Sequence, residues 1–251
     1  KPILSEKKIN KKTLFVIEAS SYQLEYSKIF KSNFAAILNI SPDHLERHKT
    51  LQNYIRAKFK LIKNQQYSDT AFLNIKDKYL KKEIKRNQIK SKIINVESKI
   101  ESKILQEINN PYFLTDSNIE NLSFIIKISK KLKLNQNKLI KTLKKFKGLD
   151  YRQQIIYKSK FLTIINDSKA TSYSSSVSLL KSLTNVYWIV GGIPKLGDRF
   201  LLPKNLCNKT GAYIFGKNKK EFIKELKNKI FFKLFSNLDR AVNKIFLDIR
   251  N

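Results

Sequence analysis

The sequence predicts an α/β protein built on parallel β-sheets. Short segments rich in β-branched and aromatic residues alternate with amphipathic segments, and the strand-like segments are almost continuously apolar. Such runs are typical of strands covered on both faces, and strand followed by helix, repeated, is the order of a parallel α/β fold. The predicted strands are 13–20, 34–41, 70–75, 92–96, 161–167, 186–192 and 212–216, and the predicted helices are 51–64, 118–133, 135–146 and 174–183.

The elements divide into two groups along the chain. TLFVIEAS, FAAILNIS, TAFLNI and KIINV are the strands of the first group, with LQNYIRAKFKLIKN, NIENLSFIIKISKKLK and NQNKLIKTLKKF as its helices. FLTIIND, VYWIVGG and AYIFG are the strands of the second group, with SSSVSLLKSL as a helix. Gly148 lies between the groups and suits the position just past a helix C-terminus. We therefore predict two domains, 1–147 and 148–251.

The composition indicates a soluble protein of a reducing compartment. Of 251 residues, 41% are hydrophobic, which is enough for a core. No apolar run approaches the roughly 20 residues that span a bilayer, and the start, KPILSEKKINKK, lacks the apolar region of a signal peptide. The single Cys207 excludes an internal disulfide, so we expect a cytoplasmic protein without membrane contact. The chain begins with Lys1 and contains no Met, which we interpret as an internal piece of a longer protein.

The net charge of +31, with a pI near 10.0, raises the alternative of nucleic-acid binding. The lysines are scattered through every segment, and no RNP-type aromatic motif, zinc finger or arginine-rich stripe accompanies them. We therefore expect a solvated basic surface without specific nucleic-acid binding. A salt-dependent DNA titration would distinguish the two interpretations.

The segment VIEASSYQLE places Glu18 at the end of a predicted strand. An acid at the carboxyl end of a parallel strand lies where α/β proteins bind ligands, and it can hold Mg²⁺. In the alternative interpretation, Ser20 or Ser21 caps the following helix and Glu18 has no role.

The segment LNISPDHLERH also leaves a predicted strand. Two His and one Cys in the whole sequence nearly exclude a zinc site of the His/Cys type, whereas an oxygen-rich Mg²⁺ site with one imidazole fits. The alternative is a Pro-initiated helix with Asp43 near its N-terminus. In the next helix, Lys58 falls on the apolar stripe, where an ammonium needs a partner or chemical alteration unless it extends its charge to solvent.

Two further loops carry lysines. Asp167 ends the predicted strand 161–167, and Lys169 and Thr171 lie just beyond it. A Gly-Gly pair ends the predicted strand 186–192, and Lys195 follows it. An acid, an ammonium and a hydroxyl together can position a nucleotide or an anionic substrate. We expect the two strands to be neighbours, so that both loops face the first domain.

Taken together and in this order, these motifs resemble those of the Mur ligase family. The matching pieces are EASSYQL, NISPDHLER, YIRAK, NIEN, YR, NDSKAT and GGIPK, and they extend over essentially the whole chain. SSYQL and NDSKAT are most similar to the members that add D-glutamate. The resemblance implies a central ATPase domain followed by a Rossmann-like C-terminal domain, both incomplete.

The resemblance also implies roles for individual residues. Glu18 and His44 correspond to Mg²⁺ ligands, and Lys58 to a lysine whose carbamylation turns a buried ammonium into an anionic metal ligand; these three are the implied catalytic residues. We expect them to meet at one end of the first sheet. The implied nucleotide-binding residues are Asn118, Asn121, Arg152 and Asp167. The implied substrate-binding residues are Ser20, Gln23, Lys169, Thr171 and Lys195.

The implied reaction is ATP-dependent and Mg²⁺-dependent addition of D-glutamate to UDP-N-acetylmuramoyl-L-alanine through an acyl phosphate, in peptidoglycan precursor synthesis, by a monomer. Another Mur-type ligase or a folylpolyglutamate synthase is the alternative. The family's phosphate loop would precede residue 1 and its D-glutamate loop would follow residue 251, so we expect this chain alone to be inactive. Tyr151, Gln153 and Ser172 stand where the family usually has His, Glu and Asn.

Overall fold

The computed structural model describes residues 5, 7–195 and 197–250. The strands of this part of the chain are β1 (Phe34–Ile37), β2 (Thr70–Leu73), β3 (Lys92–Asn95), β4 (Gln154–Lys158), β5 (Thr163–Asn166), β6 (Val186–Val190), β7 (Thr210–Ile214) and β8 (Phe231–Leu234). The helices are α1 (Ser21–Tyr26), α2 (Leu45–His48), α3 (Leu51–Lys63), α4 (Lys78–Arg86), α5 (Ser102–Ile108), α6 (Asp116–Lys131), α7 (Gln136–Lys145), α8 (Tyr173–Leu180), α9 (Lys204–Cys207), α10 (Lys219–Leu226) and α11 (Leu238–Arg250).

The first sheet has three parallel strands in the order β1–β2–β3. Its central strand β2 is buried on both faces: Ala71 and Leu73 pack in one cluster with residues of α3, and Phe72 packs on the other side with Phe124 of α6. Helices therefore cover the sheet on both faces, as continuous apolar strands require. The predicted strands 70–75 and 92–96 are confirmed with small changes at the ends, and the predicted strand 34–41 forms only over Phe34–Ile37. The prediction of a parallel α/β fold is confirmed.

Helix α3 carries the candidate residue Lys58, and its formation follows from its own sequence. Thr50 caps its N-terminus by accepting a hydrogen bond from the Asn53 amide (3.1 Å). Its apolar stripe, which includes Tyr54, Phe59 and Ile62, packs on the first sheet. The helix thereby holds Lys58, which belongs to the same stripe, at the edge of the core.

The second sheet is also parallel, with the order β6–β7–β8. Ala212 and Ile214 of the central strand β7 are fully buried and pack with apolar residues of α8 and α10. The predicted strands 186–192 and 212–216 are confirmed here. Strand β8 was not predicted, because its sequence FFKL is short and interrupted by a lysine.

The predicted strand 13–20 is wrong, since these residues form no strand. Leu14, Phe15, Val16 and Ile17 are all exposed, and 92% of Val16 is accessible to solvent. An apolar run marks a segment that gains from burial, but a strand also needs a neighbour to accept its backbone hydrogen bonds. Within the described residues, β1 pairs only with β2, and nothing pairs with this segment.

The predicted strand 161–167 forms as β5, but its neighbours differ from the prediction. It pairs antiparallel with β4 in a separate two-stranded sheet, with Gln154 opposite Asn166. The connection between β4 and β5 is only four residues long, and the Ser159 amide donates to the Leu162 carbonyl across it (2.8 Å). So short a connection permits only an antiparallel pair with β4. Within the described residues β5 does not pair with β6, which belongs to a different sheet, so the expected parallel place beside β6 is wrong.

The helix predictions are confirmed with small changes at the ends: 51–64, 118–133, 135–146 and 174–183 correspond to α3, α6, α7 and α8. Among the described residues, no helix combines the length and the apolar character needed to cross a membrane.

Replacement of Gly148 by alanine is expected to destabilise the chain more than the same change at Gly197. Both residues have φ of +78°, so both variants incur the strain of a left-handed backbone, about 1–2 kcal/mol. At Gly148 the new Cβ would also collide with the Tyr112 ring, whereas at Gly197 it would meet nothing within 4 Å. Urea denaturation of the two variants measures the difference. Equal losses of stability would show that the Tyr112 ring moves aside freely.

Candidate functional site

Helix α1 begins with a reciprocal cap formed by Ser20 and Gln23, both assigned by resemblance to the substrate site. The Ser20 hydroxyl accepts a hydrogen bond from the Gln23 amide (3.3 Å), and the Gln23 side-chain oxygen accepts one from the Ser20 amide (2.8 Å). This arrangement satisfies two helix-end donors at once. The expectation that a serine caps this helix is therefore confirmed for Ser20, and both exposed side chains are engaged in the cap.

Glu18 lies on the extended segment before α1, with an exposed side chain. Within the part of the chain that the structure describes, no hydrogen bond or ion pair engages its carboxylate. The structure therefore does not bring Glu18 into contact with His44 or Lys58.

His44 stands at the N-cap of α2 with a left-handed backbone (φ 53°). Its Nδ1 lies 3.1 Å from the Tyr22 hydroxyl, and its ring lies 3.6 Å from the Asp43 carboxylate and 3.5 Å from that of Glu46. The Asp43 carboxylate accepts a hydrogen bond from the His44 amide (2.9 Å), but α2 has no side-chain cap. Asp43 therefore lies near the N-terminus of a helix, as the alternative interpretation of this segment expects, but it does not cap that helix.

His48, the other histidine, is a structural residue. Only 2% of it is accessible to solvent, and its Nε2 lies 2.9 Å from the hydroxyl of Ser21, which is also buried. The pair joins α2 to α1 and thereby holds Tyr22 and His44 close to each other.

An ion pair between Asp43 and Lys195 connects sequence regions 152 residues apart. The Lys195 Nζ donates to Asp43 Oδ1 at 2.6 Å, and both side chains are about one-third exposed. Burial opposes ionisation of Asp43, but the hydrogen bond and charge of Lys195 outweigh it and hold the pKa of the carboxyl below its ordinary value. Lys195 therefore contacts the segment between β1 and α2.

Lys58 lies within electrostatic range of the same carboxylate. Burial lowers the pKa of Lys58, and the negative charge of Asp43 offsets part of this effect. The ammonium lies 5.0 Å above the Tyr54 ring, and burial, together with the Asp43 charge, raises the pKa of the Tyr54 hydroxyl to about 12. Asp43 is thus the common anion between two lysines, a role that the sequence did not suggest. The sequence feature that could have drawn attention to Asp43 is its position directly before His44.

A second group of side chains lies where β4 and β5 meet the start of α6. The Asp167 carboxylate accepts a hydrogen bond from the Gln153 amide (3.0 Å) and interacts electrostatically with Arg152. Burial raises the pKa of Asp167, and these two contacts oppose the rise. Tyr112 lies within electrostatic range of both charges.

Asn118 is buried at this junction, with its side-chain amide group already engaged. It donates to the Tyr112 carbonyl (2.7 Å) and to the Gln153 side-chain oxygen (2.9 Å). Thr115 donates to the same Gln153 oxygen at 2.9 Å. Only the Asn118 side-chain oxygen therefore remains for a ligand, and Asn121, one turn further along α6, is only partly buried.

Lys169 and Thr171 lie on the exposed loop between β5 and α8. The Lys169 amide donates to the Tyr151 carbonyl (3.0 Å), which fixes the loop to the residues just before β4. The expectation that this loop and that of Lys195 follow adjacent strands is wrong, because β5 and β6 belong to different sheets.

Among the described residues, no three His, Cys, Asp or Glu side chains form a group able to hold a metal ion. The structure instead brings together His44, Asp43, Lys58 and Lys195. This arrangement provides one imidazole, the Asp43 carboxylate with that of Glu46 beside the imidazole, and two ammonium groups.

Comparison with known proteins agrees with this picture. The Mur ligase middle domain matches residues 2–137. The UDP-N-acetylmuramoylalanine--D-glutamate ligases of Rickettsia felis and Rickettsia prowazekii are 30% and 31% identical to this chain, over 93% of the chain and 56% of each relative. The ligase of the same name from Francisella tularensis subsp. novicida is 30% identical over 90% of the chain and 54% of its own length. The chain thus spans about half the length of the curated relatives it matches.

Solved structures show the same fold. A MurF ligase from Thermotoga maritima in complex with ADP superposes with a TM-score of 0.66 at 16% identity, over 92% of this chain and 58% of that one. A MurF structure from Acinetobacter baumannii gives 0.67 at 17% identity, over 92% and 55%. These likenesses concern the fold, whereas the domain match extends over more than half of the residues. On this evidence the chain belongs to the Mur ligase family.

Proposed function

We propose that this chain carries the central part of an ATP-dependent ligase that adds D-glutamate to UDP-N-acetylmuramoyl-L-alanine, a cytoplasmic step of peptidoglycan precursor synthesis. The observation that carries the proposal is the 2.6 Å contact of Lys195 with Asp43, beside Lys58 and His44, in a chain about 30% identical to ligases of that name. We further propose two domains, 1–147 and 148–251, in a monomer without specific nucleic-acid binding.

Arg152 and Asp167 are proposed to hold the nucleotide. The guanidinium would pair with phosphate oxygens, and the carboxylate would accept hydrogen bonds from the ribose hydroxyls. Asn118 and Asn121 on α6 lie on the proposed adenine side. The ADP named in the Thermotoga MurF structure makes a nucleotide the natural ligand to test.

Mg²⁺ is proposed to bind near His44 and Lys58. Magnesium is commonly held by one or two protein carboxylates together with substrate phosphates, so the absence of a group of three among the described residues does not conflict with this ion. Burial lowers the pKa of Lys58 and so favours the neutral amine, the form that captures CO₂ as a carbamate. Such a carbamate would supply the oxygen ligands, with His44 beside it, and the ion would offset phosphate charge. Glu18 remains a proposed ligand that would have to move toward this group.

Lys195, Lys169 and Thr171 are proposed to position the anionic groups of the substrates. In the reaction, the L-alanyl carboxylate attacks the terminal phosphorus of ATP and ADP leaves. The uncharged amine of D-glutamate then attacks the acyl phosphate carbonyl, phosphate leaves, and the amine loses a proton as the amide forms. The ammonium groups would offset the charge on the acyl phosphate and on the D-glutamate carboxylates, while Ser20 and Gln23 would face the muramoyl portion.

The Arg152→Ala variant is expected to weaken ATP binding by about ten- to hundredfold, because a hydrogen bond to a charged group contributes roughly 1.5–3 kcal/mol and 1.4 kcal/mol corresponds to tenfold. Titration of the chain with a fluorescent ATP analogue measures the dissociation constant. Arg240→Ala serves as the control, because Arg240 is exposed on α11, far along the chain from the proposed site. An equal effect of both variants, or no binding by the unaltered chain, would contradict the nucleotide assignment.

A further inference from the structure

We propose that Asp198 is a positioning residue that fixes the backbone around Lys195 and so directs its ammonium to the site at Asp43. The inference rests on the proposed function, in which Lys195 binds an anionic substrate group. Asp198 does not itself touch that site. Its contacts lie with the backbone of α8 and of its own segment.

The Asp198 carboxylate binds the free backbone amides at the N-terminus of α8. It accepts hydrogen bonds from the backbone amides of Tyr173 and Ser174 (3.3 Å for Ser174), the first two residues of this helix. The first amides of a helix have no partner within it, and the helix dipole favours an anion there. Asp198 thus supplies the anion from a different part of the chain.

The same residue is linked directly to Lys195. The Asp198 amide donates to the Lys195 carbonyl at 3.3 Å, so the backbone at Lys195 is held through Asp198 to α8. On the other side, Glu225 accepts hydrogen bonds from the Phe200 amide (2.8 Å) and the Arg199 guanidinium (3.0 Å), and Phe200 is buried. The segment is therefore anchored at two points.

This anchorage matters because a lysine side chain is long and flexible. Holding the ammonium in one place costs conformational entropy of the side chain and of the backbone. When other contacts already fix the backbone, only the side-chain part of this cost remains. With the backbone held at Asp198, Lys195 reaches Asp43 at 2.6 Å. Without it, the loop gains conformations in which the ammonium lies elsewhere.

The contact of Asp198 with α8 also links the two lysine-bearing loops. Helix α8 begins directly after the loop that carries Lys169 and Thr171, so Asp198 ties that loop to the one bearing Lys195. The two loops follow β5 and β6, which belong to different sheets, so no pairing between these strands fixes the position of one loop relative to the other. Asp198 supplies a direct link between them.

Selective labelling of lysine amines, read residue by residue by mass spectrometry, tests the proposal in the chain itself. The Asp198→Ala variant is expected to raise the labelling rate of Lys195 by about fivefold relative to the exposed Lys130, the change that corresponds to loss of about 1 kcal/mol. Asp198→Asn keeps one acceptor oxygen and should produce a smaller rise. Asp43→Asn removes the partner of Lys195 and should also raise its rate.

Ser172→Ala is the matched control. Ser172 caps the same helix through the Ser175 amide (3.2 Å) but makes no hydrogen bond to residues 195 or 197–200 within the described part of the chain. It should leave the labelling of Lys195 unchanged. An unchanged rate in Asp198→Ala, or an equal rise in Ser172→Ala, would overturn the proposal. If Asp198→Ala does not fold, Asp198→Asn decides by the same criterion. The labelling needs no substrate, so failure of ATP binding would count against the proposed function alone.

Discussion

The Phe72→Ala variant is expected to lower the free energy of unfolding by about 3–5 kcal/mol, the range for removing a large aromatic side chain from a core. Phe72 is fully buried on the central strand β2 and packs with Val96 of the segment after β3 and with Phe124 of α6. It belongs to the cluster through which α6 covers one face of the first sheet. The loss is a large fraction of the roughly 5–15 kcal/mol by which domains of this kind are stable.

Urea denaturation followed by circular dichroism measures this loss. Phe161→Ala removes the same atoms from a residue that is 90% exposed, at the turn between β4 and β5, and should change stability by no more than about 0.5 kcal/mol. A loss below about 1 kcal/mol for Phe72→Ala would mean that the sheet and α6 do not pack as described.

The parts of the fold that follow from local pattern were predictable from the sequence. β2 reads TAFL between polar segments, and its burial on both faces is what a continuous apolar run implies. Helix α3 was equally clear, since an apolar stripe at helical spacing follows a capping threonine. In both, the residues of one short segment determine its conformation.

The errors arose where distant parts of the chain decide the structure. Residues 13–20 have the composition of a buried strand, but strand formation depends on a neighbour, which no local pattern reveals. β5 formed where predicted, but the largely exposed segment QIIYK was not recognised as its partner β4, and the tight turn between them set an antiparallel pair. Composition indicated the strand, whereas its direction depended on the turn.

The candidate site shows the same division. Lys58 was singled out because an ammonium on an apolar stripe needs a partner, and the structure supplies the Asp43 charge. That Asp43 also binds Lys195 was not predictable, because the two residues lie 152 positions apart. Likewise, no sequence pattern singled out Asp198, and its contact with the backbone of α8 emerges only from the fold.

The Lys58→Met variant is expected to stabilise the chain at neutral pH while removing a carbamate. Burial holds the pKa of Lys58 below its ordinary value of 10.5, so at neutral pH the charged ammonium destabilises the folded state. Methionine keeps similar length and apolar character without this charge. Between the lowered pKa and 10.5 the unfolded chain binds more protons than the folded one, so the stability of the unaltered chain rises with pH relative to the variant. The melting temperature of the variant should therefore exceed that of the unaltered chain by a few degrees near pH 7, and by less near pH 10.

The carbamate is measured on the same samples by ¹³C NMR in ¹³C-bicarbonate. The unaltered chain should show a carbamate resonance that disappears in Lys58→Met and remains in Lys63→Met, which alters an exposed lysine of the same helix. If Lys58→Met were less stable than the unaltered chain at pH 7, the ammonium would be better paired in the folded state than its burial implies. If the resonance were absent from the start, or survived in Lys58→Met, Lys58 would not be the carbamylated residue, and the anionic metal ligand proposed there would have to come from another side chain. The two readouts separate the electrostatic strain at Lys58, which follows from its burial, from the chemistry proposed to relieve it.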